Sequence, residues 1–340
     1  MTNLKTQNSI QKDRRESRII DQIYQPISAE LDQVTKNLIN LIESDNHLIS
    51  ELLSHVLENQ GKRIRPAITL LASKFHPNDS DEVLGMATGV EALHIGTLIH
   101  DDTVDKSDMR RGKDTVSSRW GLGKAILLGD YLLAKSTIFV YTTSNIRVIR
   151  RFSDLSVDLS SGELFELQGA FKTNHTREEY LERIYLKTAS LFSTCTEGGA
   201  ILSGAPEKTI KLLKDYGYNL GMAFQIVDDI LDLDGNMIEV GKPVGHDLAH
   251  GIMTLPSIIY AENANNTDPI NRLFQDPSKV DPDKLNETIQ SIQNSSAIDE
   301  SFNYAKLYCE KALDILDELD QNEYNQSLRK LTLHLIERRS

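Results

Sequence analysis

The sequence predicts an all-α protein, and three observations carry that expectation. Long stretches place apolar residues at i, i+3 and i+4, as in Leu31, Val34, Leu38, Leu41 and Ile42. Glycines and prolines fall between such stretches, where helices end. Alternating apolar and polar runs bounded by hairpin turns are absent.

The same signs order the chain. Residues 1–25 form a polar N-terminal segment, mixed in charge and open to disorder. Residues 26–340 read as a single all-helical domain, without low-complexity linker or short repeat. Helix boundaries are expected at Gly61 with Pro66, at Pro77, at Gly121 with Gly123, at Gly204 with Pro206, and from Gly235 through Gly245. Residues 261–295 are rich in Asn, Asp and Ser and are expected to be a loop-rich insertion before the last helices.

The bulk numbers narrow the class. A chain of 340 residues with 39% hydrophobic and 26% charged residues has the make-up of a soluble globular protein. No apolar run approaches the roughly 20 residues that span a bilayer. The first twenty residues lack the apolar core of a secretory signal, so a cytoplasmic location is expected. A net charge of −13 argues against nucleic acid as a partner. Basic residues nonetheless cluster at Lys62, Arg63 and Arg65, and at Arg110, Arg111 and Lys113, which suits a compact anionic ligand. Cys195 and Cys309 stand far apart and form neither a disulfide framework nor a zinc motif.

Two acidic clusters set the chemistry. HDDTVD supplies Asp101, Asp102 and Asp105; VDDILD supplies Asp228, Asp229 and Asp232. Both are spaced Asp-Asp-x-x-Asp. On a helix i and i+4 share a face, so Asp101 and Asp105 are expected to point together, as are Asp228 and Asp232. Like charges at that spacing weaken a helix, and the apolar neighbours Leu98, Ile99, Ile226 and Val227 deepen the need for a cation. Magnesium suits such sites, being hard and typically held by one or two carboxylates together with substrate phosphates. Clusters facing each other across a bundle would grip a diphosphate through bridging metals. One acidic triplet is as readily a solvated helix face; two identical triplets, each ending an apolar helix, are not.

Basic motifs supply the complement. Gly61-Lys62-Arg63-Ile64-Arg65-Pro66 opens a helix, where backbone N–H groups favour anions. Arg110-Arg111-Gly112 follows the first acidic cluster, and guanidinium forks match phosphate oxygens. Lys187-Thr188 and Gly241-Lys242 add donors. Any one of these alone reads equally well as a solvated face or an ion pair.

Taken in order, the motifs resemble the trans-polyprenyl diphosphate synthase family: GKRIRP at 61–66, EALHIGTLIHDDTVD at 91–105, RRG at 110–112, KTASLF at 187–192, FQIVDDILD at 224–232 and GKPVGHD at 241–247. The match covers roughly residues 30–260, and the chain resembles medium- to long-chain members such as heptaprenyl diphosphate synthase catalytic subunits. The resemblance implies an isoprenoid synthase-type helical bundle around a deep central cavity, with Mg2+ as cofactor. It implies a homodimer, with a heteromer containing a small regulatory subunit as the alternative, and peripheral membrane contact for product release. By the resemblance Asp101, Asp102, Asp105, Asp228, Asp229, Asp232 and Lys187 are catalytic, and Asp101, Asp102, Asp105, Asp228 and Asp232 hold metal. Lys62, Arg65, His94 and Arg111 match the isopentenyl diphosphate site; Arg110, Lys187, Thr188, Gln225 and Lys242 match the allylic diphosphate site. For His94 alone the default would be a satisfied core histidine, and for Thr188 and Gln225 a helix–helix hydrogen bond. One departure is visible. Many members carry a lysine two residues before Thr254, where this chain has Ile252.

The reaction so implied ionises an allylic diphosphate primer and condenses the carbocation with isopentenyl diphosphate, the proton leaving to the departed diphosphate. Gly96 and Thr97 lie one helical turn before Asp101 and are small, which favours a hexaprenyl to octaprenyl product over farnesyl or geranylgeranyl diphosphate. A terpene cyclase of the same fold would be expected to replace the second aspartate motif. A phosphohydrolase built on His100-Asp101 would need further histidines, and a regulatory subunit would have lost aspartates.

Overall fold

The helical period reads through directly. The computed structural model describes residues 18–58, 61–76, 81–234, 244–263, 268–276 and 280–337 and is 80% helical with almost no strand. The expected boundaries at Pro77, Gly235 and Gly241, and residues 1–17, lie outside the described residues. The chain divides into two compact units: Met1–Ser153 with Thr194–Lys214 and Ile315–Leu331, and Asp154–Ser193 with Asp215–Asp314 and Thr332–Ser340.

Residues 18–24 are helical. The first unit continues with α1 (Ser28–Ile39), α2 (His47–Leu57), α3 (Ile64–Ser73) and α4 (Asp81–Val104). A hairpin of β1 (Met109–Arg110) and β2 (Lys113–Asp114) follows, then α5 (Val116–Trp120) and α6 (Leu122–Tyr141). Local chemistry sets the starts. The Asn46 side chain caps α2 by accepting from the Leu48 and Ile49 N–H groups at 3.0 and 3.4 Å. Gly121, at φ 89°, ends α5 and allows α6 to begin at once.

Helix α4 forms the core of this unit. By length and composition it is the one described helix apolar enough to cross a membrane, but 67% of that window is buried inside the protein. It packs along α6 through a glycine stripe. A Cβ added at Gly85 would stand 2.9 Å from the Phe139 carbonyl oxygen, at Gly89 3.0 Å from that of Ser136, and at Gly96 3.2 Å from that of Gly129. The two backbones approach too closely for ordinary side chains at these positions.

The hairpin was not expected from the sequence. Met109 pairs with Asp114 and Arg110 with Lys113. Its two central residues, Arg111 and Gly112, have φ 49° and 76°. Positive φ at both is what a two-residue hairpin turn demands. Strands of two residues leave no alternation to detect.

Next along the chain come α7 (Ile146–Gly169), α8 (Arg177–Ile184), a π-helical turn (Tyr185–Ala189), α9 (Ser190–Leu202) and α10 (Glu207–Asp234); α8 and the π-helical turn lie wholly in the second unit, whereas α9 from Thr194 on belongs to the first. Then come α11 (His246–Ala249), α12 (Leu255–Asn263), α13 (Asp268–Leu273), α14 (Pro282–Gln293), α15 (Ala297–Asp317) and α16 (Glu323–Glu337). A full capping box starts α8: Thr176 Oγ1 accepts from Glu179 N–H at 3.2 Å, and Glu179 Oε2 accepts from Thr176 N–H at 2.9 Å. The expected loop-rich insertion at 261–295 is corrected here, because most of its described residues are helical. Asp281 caps α14, Pro282 occupies its first turn, and Ile289 and Ile292 are buried. Polar residues on the exposed side of α14 diluted the apolar pattern in the sequence.

Candidate active site

The basic motif at 61–66 starts α3 in a constrained way. Arg63 is the N-cap, in left-handed backbone at φ 50°. The buried Tyr24 hydroxyl donates to the Lys62 carbonyl oxygen at 2.9 Å, while the Lys62 side chain is exposed. Arg65 Nη1 lies 3.0 Å from His94 Nε2. Burial, then Arg65, Arg110 and Arg111, push the His94 pKa well below its usual value, so the ring is neutral. An arginine only donates, so Nε2 is the acceptor and Nδ1 carries the proton. A Cβ at Gly61 would sit 2.8 Å from Arg111 Nη1, so a side chain there would push the end of that guanidinium aside.

Glu91, one turn before His94, was missed in the sequence. It is 6% exposed. Burial raises its pKa, against the opposing pull of Arg65, Arg63 and Arg111. The signal was available: a carboxylate within an otherwise apolar helical run.

The first aspartate cluster closes α4. Asp105 lies just past the helix, its N–H donating to the Asp101 carbonyl oxygen at 2.8 Å. Asp101 and Asp105 are half-buried, whereas Asp102 is buried. Arg110 Nε donates to both Asp102 oxygens, at 2.8 and 2.7 Å. The hairpin therefore returns an arginine onto the metal-type carboxylate, a pairing the sequence separated into two sites.

In the second unit, α10 carries Asp228 exposed and Asp229 and Asp232 buried. The Tyr180 hydroxyl donates to Asp229 Oδ2 at 2.6 Å. Gln225 Nε2 donates to Oδ1 at 2.7 Å, and Thr188 Oγ1 donates to Gln225 Oε1 at 2.6 Å. Both Asp229 oxygens thus have protein donors. Asp232 accepts from the backbone N–H groups of His246 and Asp247, each at 3.2 Å. Lys187, on the π-helical turn, lies 2.9 Å from Glu163 and also bonds Glu166. A Cβ at Gly162 would be 2.8 Å from Lys187 N, so α7 closes tightly on that turn. Arg183 donates to the Met253 carbonyl oxygen at 2.7 Å. Ile252, where a lysine was expected, donates its N–H to the Asp247 carbonyl oxygen at 2.9 Å. Lys242 lies outside the described residues. Tyr180, Arg183 and Asp247 were not read as site residues in the sequence; nothing local marks Tyr180 or Arg183, whereas Asp247 closes the GKPVGHD motif at 241–247.

The acidic surplus here has a measurable cost. Burial, then Asp247, pushes Asp232 up to about 8. Burial also raises Asp229 and Asp247, with neighbouring carboxylates adding to it. The donors are all oxygens, which fits a hard divalent cation. Among the described residues no three acidic, histidine or cysteine side chains form a ready-made cage. A cation would therefore complete its shell with water and substrate phosphates, the habit of Mg2+.

Gly96 is corrected. Its Cβ direction meets α6 at Gly129 and Leu132, so it shares a face with His100, whose ring rests on Gly129. It is a packing residue of the α4–α6 contact, not open wall below Asp101. Thr97, at i−4 from Asp101, is half-buried, its hydroxyl turned to the His94 carbonyl oxygen at 2.8 Å.

The chain is similar to known proteins along most of its length. The pattern of the family described as polyprenyl synthetase matches residues 46–292. Heptaprenyl diphosphate synthase component 2 of Geobacillus stearothermophilus is 34% identical, over 92% of this chain and 97% of that protein. The crystal structure of heptaprenyl diphosphate synthase from Staphylococcus aureus superposes with a TM-score of 0.88 at 36% identity, over 92% of this chain and 98% of that one. A polyprenyl synthase from Caulobacter crescentus CB15, complexed with calcium and isoprenyl diphosphate, gives a TM-score of 0.90 at 30% identity, over 94% and 98%.

Proposed function

We propose, from the premise that this chain belongs to the polyprenyl synthetase family, that it condenses isopentenyl diphosphate with an allylic diphosphate primer to give an all-trans polyprenyl diphosphate of hexaprenyl to octaprenyl length. The observation that carries the reading lies within the first unit, where Arg110 bonds Asp102 of the acidic cluster and Arg65 bonds His94 on the same helix α4. Asp101, Asp102 and Asp105 in the first unit, and Asp228 and Asp232 in the second, would each hold Mg2+, which when bound would supply charge neutralisation for the departing diphosphate. Lys187, and separately Arg110, would take phosphate oxygens on releasing their carboxylate partners. Lys62, Arg65 and Arg111 hold isopentenyl diphosphate, and neutral His94 contributes its Nδ1–H. Thr188 and Gln225 orient Asp229. Apolar walls would keep water from the carbocation.

A homodimer is part of this proposal. Leu127, Ile138 and Tyr141 lie exposed along one side of α6, an apolar strip suited to a second copy. The relatives called component 2 keep a small regulatory partner as the alternative. A cytoplasmic location and transient contact with a membrane at product release complete the reading.

The test is an assay of purified protein with Mg2+ and both diphosphates, the product sized by chromatography. A Lys62→Ala variant should raise the KM for isopentenyl diphosphate about tenfold while leaving the primer KM nearly unchanged. No elongated product from the wild type would refute the function; a rise in primer KM alone would show the two phosphate sites reversed.

A further inference from the structure

We propose that Glu91 is a positioning residue that assembles the arginines of the isopentenyl diphosphate site before substrate arrives. The inference rests on the assignment of Lys62, Arg65, His94 and Arg111 to that substrate. The role proposed for Glu91 involves no contact with the diphosphate. It acts through Arg65 and Arg111, whose mutual repulsion its carboxylate offsets.

Four observations converge on it. Glu91 is buried, yet Arg63, Arg65 and Arg111 all act on it electrostatically. Arg63 and Arg111 both sit in left-handed backbone, at φ 50° and 49°. For residues other than glycine such a conformation is strained and persists only where the surroundings over-determine it. Gly61 clears the space into which the Arg111 guanidinium folds back. Glu91 also lies three residues before His94 on α4, so the carboxylate and the imidazole that accepts from Arg65 share a helix face.

Arg63 and Arg65 separate in role. Arg63 is 9% exposed and is drawn to Glu91 and Asp32, which makes it a strut of the fold. Arg65 bonds to the neutral ring of His94. Without a central carboxylate, the cations on α3 and the hairpin would move apart, and binding of the diphosphate would have to draw them together again. Preassembly removes that cost and shows in affinity for one substrate only.

The experiment compares wild type, Glu91→Gln, Glu91→Asp and Arg65→Ala as full-length enzyme with saturating Mg2+, measuring kcat and the KM of each substrate. Glu91→Gln keeps shape and removes charge. It is expected to raise the isopentenyl diphosphate KM about tenfold, to change the primer KM less than about twofold, and to be partly rescued in Glu91→Asp. If Arg65→Ala raises that KM while folded Glu91→Gln does not, the positioning role is overturned. If Arg65→Ala itself leaves that KM unchanged, the site assignment fails, and this inference with it. Should Glu91→Gln not fold, Glu91→Asp is read in its place: it keeps the charge but withdraws it by one methylene, so a smaller rise in the isopentenyl diphosphate KM alone supports the proposal, and no change, or a uniform loss in both substrates, overturns it.

Discussion

The Tyr180 hydroxyl reaches Asp229 across 2.6 Å, joining α8 to the second aspartate cluster on α10. With Gln225 on the other oxygen, it fixes one carboxylate of the triplet and leaves Asp228 exposed. Tyr180→Phe removes this bond without changing shape. Loss of a hydrogen bond to an ionised group is worth about 1.5–3 kcal/mol, so thermal unfolding with Mg2+ present should fall by several degrees and kcat by about tenfold. Unchanged melting together with full turnover would remove Tyr180 from the site.

The raised aspartates make metal-free stability depend on pH. Asp232 is displaced upward from a usual value of 3.8 to about 8. Its folded form therefore holds a proton that the unfolded chain releases near pH 4. That contribution is fully present below pH 4 and is lost as pH rises through about 8. In EDTA the melting temperature should drop between pH 5.5 and 8.5, and Mg2+ should restore more at pH 8.5 than at pH 5.5. An equal metal-induced shift at both values would contradict the burial of charge seen here.

Turnover should require both aspartate clusters. Asp102→Asn and Asp228→Asn keep volume and remove a charge, and each is expected to lower kcat at least about 10²-fold. For Asp102→Asn the Arg110 pair is also broken, so calorimetry should show a larger stability loss than for exposed Asp228→Asn. Near-wild-type rates for both, or full activity in EDTA, would end the metal mechanism.

Gly96 and Thr97 now separate two effects. Gly96→Ala puts a methyl 3.2 Å from the Gly129 carbonyl oxygen, and overpacking of this kind costs about 1–3 kcal/mol. It should lower the melting temperature while leaving product length unchanged. Thr97→Phe, one turn from Asp101, should give a shorter product, separable by reversed-phase chromatography. A Thr97→Phe enzyme that still makes the wild-type length would place the growing chain elsewhere.

The sequence made legible whatever repeats at helical spacing or is spelled in a contiguous motif. The all-α class follows from that spacing, and the two aspartate triplets and the residues Arg65, His94, Thr188 and Gln225 lie in such motifs, although the Arg65–His94 bond was not read from them. It hid what depends on distance along the chain. Tyr180 and Asp229 are 49 residues apart, and no local pattern announces their bond. It also hid direction. Small size at Gly96 was visible, but whether the missing side chain faced a cavity or α6 depended on which neighbour the helix met. The hairpin escaped because two-residue strands carry no period.

The π-helical turn at Tyr185–Ala189 alters how the helix behind it must be read. A wider turn holds one residue more than an α-helical turn, and each residue in an α-helix advances about 100°. Positions after Ala189 are therefore rotated out of phase with those of α8. Tyr180 and Lys187 can each meet their own carboxylates, while Phe192 faces Phe224 at a ring separation of 5.2 Å. Deleting one residue from this turn would smooth the helix and misalign everything downstream. In this stretch of chain the count of residues is itself a constraint, independent of which residues they are.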